Sequence, residues 1–385
     1  MKTTLLLLAL TFTSHAFASR EISRLEELVA INSGTANIAG VTKIQNKAKG
    51  WFEELGFKVE LRANPEGEKV SAPLLIATLA GESKETITFV MHADTVFEPS
   101  SAFQKSKMLN ESTINGPGVM DDKGGFVVLL KSLEDYLKTK KTPKHSWRVL
   151  ISPNEEVGSV GWWKIFQDYS LDSWLVLGLE PGYDDYGIVH GRKGNIWYEI
   201  DVKGKESHAG RDHESGVNAC SILAAKMLEI NKLTNYKKNI TASFGRIEGG
   251  QDKFNIVCGW AKGKVDIRVP DLQTAKKVKD QMAKILKDPR ITFKIDDETP
   301  PFNINKLSKP VIEKYLKAIH EVEGKKVISH FSGGVGDVNH FSREGVIIMD
   351  GLGPVGGGAH TEQEFLDLKT IETRSKILTQ FLLSL

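Results

Sequence analysis

Hydrophobic and polar positions in the first half of the chain follow two periods, one typical of helices and one typical of strands. Apolar residues recur at helical spacing in residues 21–31, 41–56 and 124–138. Strand-like runs rich in Ile, Val and Leu lie at 57–63, 74–81, 86–93, 147–154 and 173–180. Because strands that alternate with helices form parallel sheets, the pattern predicts an α/β domain whose mostly parallel sheet has helices on both faces.

A different order of elements follows Gly191. Strands are predicted at 195–205, 240–250, 255–269 and 291–296, with helices at 216–232 and 272–287. This β-α-β-β-α-β order is typical of a ferredoxin-like α+β sandwich. Helix and strand alternation returns near Pro301, so the predicted boundaries are a main domain in two parts, 19–191 and 301–385, around an inserted domain, 192–300.

The first 18 residues have the pattern of a secretory signal peptide. Lys2 precedes a leucine-rich run, and Ala16-Phe17-Ala18 has the small-x-small form of a cleavage site. We therefore expect export to the periplasm or the medium. Later apolar runs fall short of the roughly 20 residues of a membrane span, and a net charge of +2 favours neither nucleic acid nor an anionic membrane as partner.

The chain has two cysteines, Cys220 and Cys258. This number excludes a disulfide-rich scaffold. A single bridge between them is possible in an exported protein, but two buried thiols are the favoured interpretation, because both lie in apolar runs. Neither has the charged neighbours of a nucleophilic thiol.

Five side chains of the types that bind metal ions each end a predicted strand or stand in a glycine-rich turn. These residues are His92, Asp121, Glu156, Glu180 and His360. Two imidazoles and three carboxylates give each of two divalent ions two ligands of its own if one carboxylate bridges both ions. The set therefore predicts a hydrolase site with two metals.

Other polar residues beside these motifs can support the same chemistry. Asp94 shares a strand face with His92 and can hold the imidazole. Glu155 points away from its neighbour Glu156 and remains available for proton transfer. His208, Asn255 and Arg268 in the inserted domain are donors that can bind a substrate carboxylate or an oxyanion. Taken singly, each residue is as consistent with an ordinary structural role.

In combination, the motifs resemble the M20 metallopeptidases. HADTV, GPGVMDDKGG, PNEEVGS, GLEP, SHAG and GAHTEQEF occur in the order and approximate spacing of that family, over nearly the whole chain. The sequence is most similar to the glutamate carboxypeptidase branch, because Glu180 stands where the aminopeptidase and dipeptidase branches typically have Asp. The resemblance implies a di-zinc exopeptidase domain and an inserted lid that forms a homodimer.

The resemblance also implies a role for each motif residue. His92 and Glu180 bind one zinc, Glu156 and His360 bind the other, and Asp121 bridges both. Glu155 is the general base, Asp94 orients His92, and His208 stabilises the oxyanion in the neighbouring subunit. The substrate is bound by Asn255, Arg268, Gly333 and Gly334. The peptide between Asp121 and Asp122 is expected to be cis, and Ala93 and Cys258 depart from the family pattern.

The predicted function is hydrolysis of the amide bond next to a free C-terminal carboxylate in a small peptide, which releases glutamate or a similar residue, with two Zn²⁺ per subunit. Two alternatives remain within the family: an N-acyl-amino-acid deacylase, whose water attack is the same, and a dipeptidase. A metal-free dimeric binding protein is a third alternative, but the intact set of ligands argues against it.

Overall fold

The structure is a computed structural model and describes residues 20–385. The predicted signal peptide, residues 1–18, lies outside the described residues. The chain divides into two compact units. Of the described residues, the first unit holds 20–190 together with Ile304–His330 and Gly336–Leu385, and the second holds Gly191–Asn303 and Phe331–Val335.

Helices and strands alternate through the first unit much as the pattern predicts. The helices of the described chain are residues 20–29 (α1), Ile38–Glu54 (α2), Lys123–Lys138 (α3), Trp163–Ser170 (α4), Ala219–Asn231 (α5), Leu272–Ile285 (α6), Ser308–Glu323 (α7) and Leu368–Ser384 (α8). Short 3-10 helices lie at Glu155–Val157, His213–Ser215, Tyr236–Lys238 and Asp337–Phe341. Among the helices of residues 20–385, none is long and apolar enough to cross a membrane.

The strands of residues 20–385 belong to four sheets. They are Lys58–Arg62 (β1), Leu74–Leu79 (β2), Ser83–His92 (β3), Lys107–Met108 (β4), Thr113–Asn115 (β5), His145–Ser152 (β6), Ser173–Gly178 (β7), Val189–Arg192 (β8), Gly194–Lys203 (β9), Thr241–Gly249 (β10), Trp260–Val269 (β11), Ile291–Thr299 (β12), His330–Ser332 (β13), Ile347–Met349 (β14), Gly356–Gly357 (β15) and Phe365–Asp367 (β16). Two of the sheets are small: β13 pairs with β8, and β15, β16, β5 and β4 form the other.

A six-stranded sheet in the order β1-β2-β6-β3-β7-β14 is the centre of the first unit. The four strands β6, β3, β7 and β14 run parallel to one another. Strand β2 pairs antiparallel with β1 on one side and with β6 on the other. The last seven residues of β3 are buried, as expected for a strand covered on both faces. The predicted α/β sheet is confirmed. Because parallel strands end at one edge, the residues that follow β3, β6 and β7 gather there.

Helix α3 begins close to the end of β7 because its first turn contains glycine. A Cβ atom on Gly125 would lie 2.0 Å from Asp122 Oδ1 and 2.5 Å from the carbonyl oxygen of Leu179. No side chain fits at this contact. The glycine therefore allows the turn that carries Asp121 and Asp122 to lie against the strand edge, where the other predicted ligands are.

The second unit is an antiparallel sheet in the order β10-β11-β9-β12 with helices α5 and α6. Alternate residues of β11 are buried, which is the pattern of a sheet with one covered face. Val265 and Ile267 of this strand share a hydrophobic core with Leu223 of α5 and with Val278 and Met282 of α6. The β-α-β-β-α-β order and the ferredoxin-like class predicted for the insertion are confirmed.

The expectation of two buried thiols is wrong. Cys220 and Cys258 form a disulfide with a Cα–Cα distance of 5.8 Å, and both residues are half-buried. The predicted strand 255–269 also begins later, at Trp260. Both differences have one cause: residues 255–259 leave the sheet direction and hydrogen-bond to the loop that precedes α5, which brings Cys258 next to the first turn of that helix.

Candidate active site

His92 ends strand β3 and is 1% exposed. Its Nδ1–H donates to the backbone carbonyl of Asp94 at 3.1 Å, so the neutral ring has its free lone pair on Nε2. That Nε2 faces Asp121 Oδ1 at 2.9 Å and Glu180 Oε1 at 3.7 Å. Since a lone pair and carboxylate oxygens repel one another, this arrangement requires a proton or a cation between them.

The side chain of Asp94 organises the turn after β6. Its carboxylate is fully buried and accepts the backbone N–H of Glu155 at 3.0 Å and that of Glu156 at 3.2 Å. It also accepts the hydroxyl of Thr35 at 2.7 Å. One carboxylate therefore connects the end of β3 to the turn that presents both glutamates. Sequence reasoning assigned Asp94 only to His92 and missed Thr35.

Asp121 lies between the two predicted histidine ligands. Its Oδ1 faces His92, and its Oδ2 lies 3.4 Å from Nε2 of His360. The peptide bond from Asp121 to Asp122 is cis, as the family resemblance implies. Each oxygen of one carboxylate thus faces a different imidazole, which is the geometry of a bridging ligand.

Asp122 is buried at the N-cap of α3, but its side chain makes no capping hydrogen bond. Neither of its oxygens has a hydrogen-bond partner among the described residues. Burial raises the pKa of this carboxyl well above its usual range. The site therefore contains a buried acidic group that is either protonated or compensated by nearby positive charge.

His360 stands in a glycine-rich turn and has a left-handed backbone with φ 63°. Its Nε2 lies 3.2 Å from Glu156 Oε2, and its side chain is 56% exposed. Gly358, two residues earlier, has φ 70°, and a Cβ atom there would lie 2.5 Å from the carbonyl oxygen of Gln363. The turn thus depends on glycine to present His360 beside Glu156.

The electrostatics of the cluster favour positive charge on both imidazoles. Hydrogen bonds with Asp121 and Glu156 raise the pKa of His360 to about 10. Burial alone would lower the pKa of His92, but hydrogen bonds with Asp121 and Asp94 raise it well above its usual range. Burial opposes a low pKa of Asp121, yet its hydrogen bonds with both imidazoles hold that pKa far below the usual value.

The predicted ligands form two groups that share Asp121. Ligand atoms of His92, Asp121 and Glu180 lie within 4.8 Å of one another, and so do those of Asp121, Glu156 and His360. Each group combines one imidazole nitrogen with carboxylate oxygens, the donors that zinc and similar divalent ions accept. The side chains therefore fit two cations with one bridging carboxylate.

Glu155 belongs to neither group. It lies in the 3-10 helix Glu155–Val157, directly before Glu156. Burial raises its pKa well above the usual range, and the charge of Glu180 adds to the effect. A carboxylate with a raised pKa beside a metal centre can accept a proton and release it again.

The residues predicted to contact substrate lie in the second unit. His208 is in the loop before α5, where its Nδ1 accepts the N–H groups of Gly210 and Arg211 at 3.2 Å each, so Nε2 carries the hydrogen of the neutral ring. Arg268 lies in β11, and its Nε donates to both oxygens of Asp266 at 3.0 and 2.9 Å. Asn255 lies in the turn before β11.

Gly333 and Gly334 also belong to the second unit. A Cβ atom on Gly333 would meet no heavy atom within 4 Å, and one on Gly334 would lie 3.7 Å from Arg192. Neither position has a left-handed backbone. Local geometry does not require glycine here, so the predicted role of both residues rests on the family resemblance.

Glu364 is a supporting residue that sequence reasoning missed. It is 1% exposed, and its carboxylate accepts the N–H groups of Gly118, Met120 and Asp121 at 2.9, 2.9 and 3.1 Å. It therefore fixes the turn that carries the bridging carboxylate. Its position four residues after His360 is only a weak sequence signal for this supporting role, because Glu362 has the same charge two residues after His360.

Replacing Glu364 with Ala should weaken metal binding about 10- to 100-fold, the usual effect of removing a group that orients a ligand. Three N–H groups lose their acceptor, so Asp121 is less firmly placed. Glu362→Ala is the matched control, because Glu362 is exposed. Competition with a fluorescent zinc chelator measures both affinities, and equal affinities in the two variants would contradict the assignment.

Comparison with known proteins gives consistent results. A model of the peptidase family M20/M25/M40 matches residues 88–384. Carboxypeptidase G2 of a Pseudomonas species is 26% identical over 371 residues, 94% of this chain and 89% of that protein. Succinyl-diaminopimelate desuccinylase of Magnetococcus marinus is 22% identical over 349 residues, 86% and 90% of the two chains.

A solved structure shares the fold. The solved structure of aminopeptidase PepT from Bacillus cereus has a TM-score of 0.78 and 23% identity, and the match covers 95% of this chain and 98% of that one. A family model that covers more than half of the chain establishes membership, which confirms the resemblance seen in the motifs. The chain belongs to the peptidase family M20/M25/M40 and is a metallohydrolase that acts on peptide or amide bonds.

Proposed function

We propose that the protein is an exported zinc exopeptidase that hydrolyses the amide bond next to a free C-terminal carboxylate. The observation that carries the proposal is Asp121, whose two carboxylate oxygens face the Nε2 atoms of His92 and His360. His92 and Glu180 would hold one zinc, and Glu156 and His360 the other. Nitrogen and carboxylate donors in this proportion suit zinc.

When bound, a pair of zinc ions would acidify a water molecule, to a pKa of about 7, and polarise the carbonyl of the scissile amide. Glu155 would accept a proton from the attacking water molecule and pass it to the departing amine nitrogen, which otherwise is a poor leaving group. The raised pKa of Glu155 suits both steps, because the carboxylate must accept a proton and then release it.

Asp94 would position both the metal and the base. Its backbone carbonyl fixes the imidazole of His92 through Nδ1, and its side chain fixes the backbone of Glu155. The metal ligand His92 and the proton acceptor Glu155 are thus both held by one buried residue, Asp94. This connection limits the movement of the His92 imidazole relative to the backbone that carries Glu155.

Glu155→Gln should lower kcat by about 10²- to 10⁴-fold, the usual contribution of a general base, and should leave two zinc ions per chain. Glu156→Gln is the matched comparison, because the neighbouring glutamate should lose zinc as well as activity. Elemental analysis and rate measurements on both variants separate the roles. Full activity of Glu155→Gln would overturn the base assignment.

The proposed substrate class is an N-acylated amino acid or a short peptide with a free α-carboxylate, glutamate above all. Support comes from Glu180, which the resemblance associates with the carboxypeptidases and deacylases of the family, and from the similarity to carboxypeptidase G2 over 94% of this chain. We assign carboxylate binding to Arg268 and Asn255. We assign the oxyanion contact to Nε2–H of His208, which would act in the site of the neighbouring subunit. The similarity to a desuccinylase keeps a deacylase as the second candidate.

Arg268→Ala should lower kcat/KM about 10- to 100-fold on an N-acyl-glutamate, because a hydrogen bond to a charged group contributes about 1.5–3 kcal/mol. The same substrate with an α-carboxamide should react slowly and show little further loss. Lys264→Ala, which removes an exposed cation of the same strand β11 paired with Glu199, is the control. Equal losses on the acid and the amide, or action on free-amine dipeptides alone, would reject this substrate class.

Two further proposals concern assembly and location. We propose a homodimer through the second unit, where Leu228 of α5 is 67% exposed and β10 is an edge strand. Leu228→Lys should shift the sedimentation coefficient from dimer to monomer, and an unshifted value would contradict this interface.

Export through residues 1–18 should leave a mature chain that begins near Ser19, which N-terminal sequencing of the secreted protein checks.

A further inference from the structure

The disulfide between Cys220 and Cys258 joins the start of helix α5 to the loop before strand β11, both in the second unit. Cys220 is the second residue of helix α5, and Cys258 lies two residues before strand β11. The loop that ends at α5 carries His208, and the loop that ends at β11 carries Asn255. The covalent bond therefore connects the two segments that hold the proposed oxyanion and carboxylate contacts.

Backbone hydrogen bonds lie on both sides of His208. The N–H of Val257 donates to the carbonyl of Ser207, and the N–H of Ala209 donates to the carbonyl of Asn255, both at 2.9 Å. Since Ser207 and Ala209 flank His208, its ring direction depends on where the second loop lies.

The two loops also pair through backbone hydrogen bonds next to the disulfide. The N–H of Ala219 donates to the carbonyl of Cys258 at 2.8 Å, and the N–H of Gly204 donates to the carbonyl of Gly259 at 2.8 Å. The bridge between the two sulfur atoms lies next to these bonds. It prevents the loops from separating at the point where they meet the helix and the strand.

Side-chain packing contributes little to this pairing. Val257 is 4% exposed and belongs to the buried residues of the loops, but residues 205–216 are exposed or half-buried throughout. Phe254, next to Asn255, has its ring fully in solvent. Segments with few buried apolar contacts and solvent-exposed hydrogen bonds open readily, so a covalent link changes their dynamics more than it would in a core.

We propose that Cys220 and Cys258 are positioning residues, whose disulfide holds the loops of His208 and Asn255 in the arrangement that catalysis requires. The inference rests on the proposed function, because it uses the substrate contacts assigned there. Neither cysteine is assigned a contact with substrate. Breaking the bridge should therefore lower kcat while leaving the metal ligands of the first unit unchanged.

The test is reduction with a water-soluble phosphine. The phosphine becomes its oxide with an oxygen atom from water, and the two hydrogens of that water end on the two thiols. We expect kcat on an N-acyl-glutamate to fall at least tenfold, with zinc content unchanged and recovery on reoxidation. The double variant Cys220→Ser/Cys258→Ser should show the lowered kcat without treatment and no further change with phosphine.

Hydrogen exchange provides a readout that does not depend on turnover. Amide exchange of Ala209, Val257 and Ala219 should accelerate at least tenfold on reduction, while that of strand β3 stays constant. Unchanged exchange, or faster exchange with unchanged kcat, would overturn the positioning role. If the oxidised enzyme is inactive on every acylated amino acid tested, the proposed function fails, and the exchange rates still decide whether the disulfide holds the loops.

Discussion

Acidic side chains are crowded at one edge of a parallel sheet, and positive charge must lie between them. Asp121 is the centre of this arrangement, because its two oxygens face Nε2 of His92 and Nε2 of His360. With Nδ1 of His92 committed as a donor, the opposing atoms are a lone pair and a carboxylate oxygen. Two divalent ions satisfy this constraint, and the proposed chemistry follows from their presence.

Buried carboxylates that bind backbone N–H groups give the centre its rigidity. Asp94 accepts from the turn of Glu155 and Glu156, and Glu364 accepts from the turn of Asp121. Each catalytic turn is thus fixed by charge-assisted hydrogen bonds to its main chain, so the functional side chains remain free to bind metal or exchange a proton. In the second unit, by contrast, a disulfide and a few backbone hydrogen bonds hold the loops of His208 and Asn255.

Much of the fold and of the metal site could be predicted from sequence, because each signal was local. The alternation of apolar runs predicted both sheets, and His92, Asp121, Glu156, Glu180 and His360 each stand in a distinctive motif. Glu364 could not be distinguished from Glu362, since only the path of the chain decides which glutamate turns inward. The Cys220–Cys258 bond was missed for the same reason: it requires residues 255–259 to leave the strand, and their apolar pattern predicts that they continue it.

We propose that Asp121 bridges two metal ions. Anomalous scattering at the zinc absorption edge, from crystals of the zinc-loaded enzyme, decides whether it does. We expect two peaks per chain, about 3.5–4 Å apart, with one next to each oxygen of Asp121. A single peak, or two peaks away from that carboxylate, would contradict it.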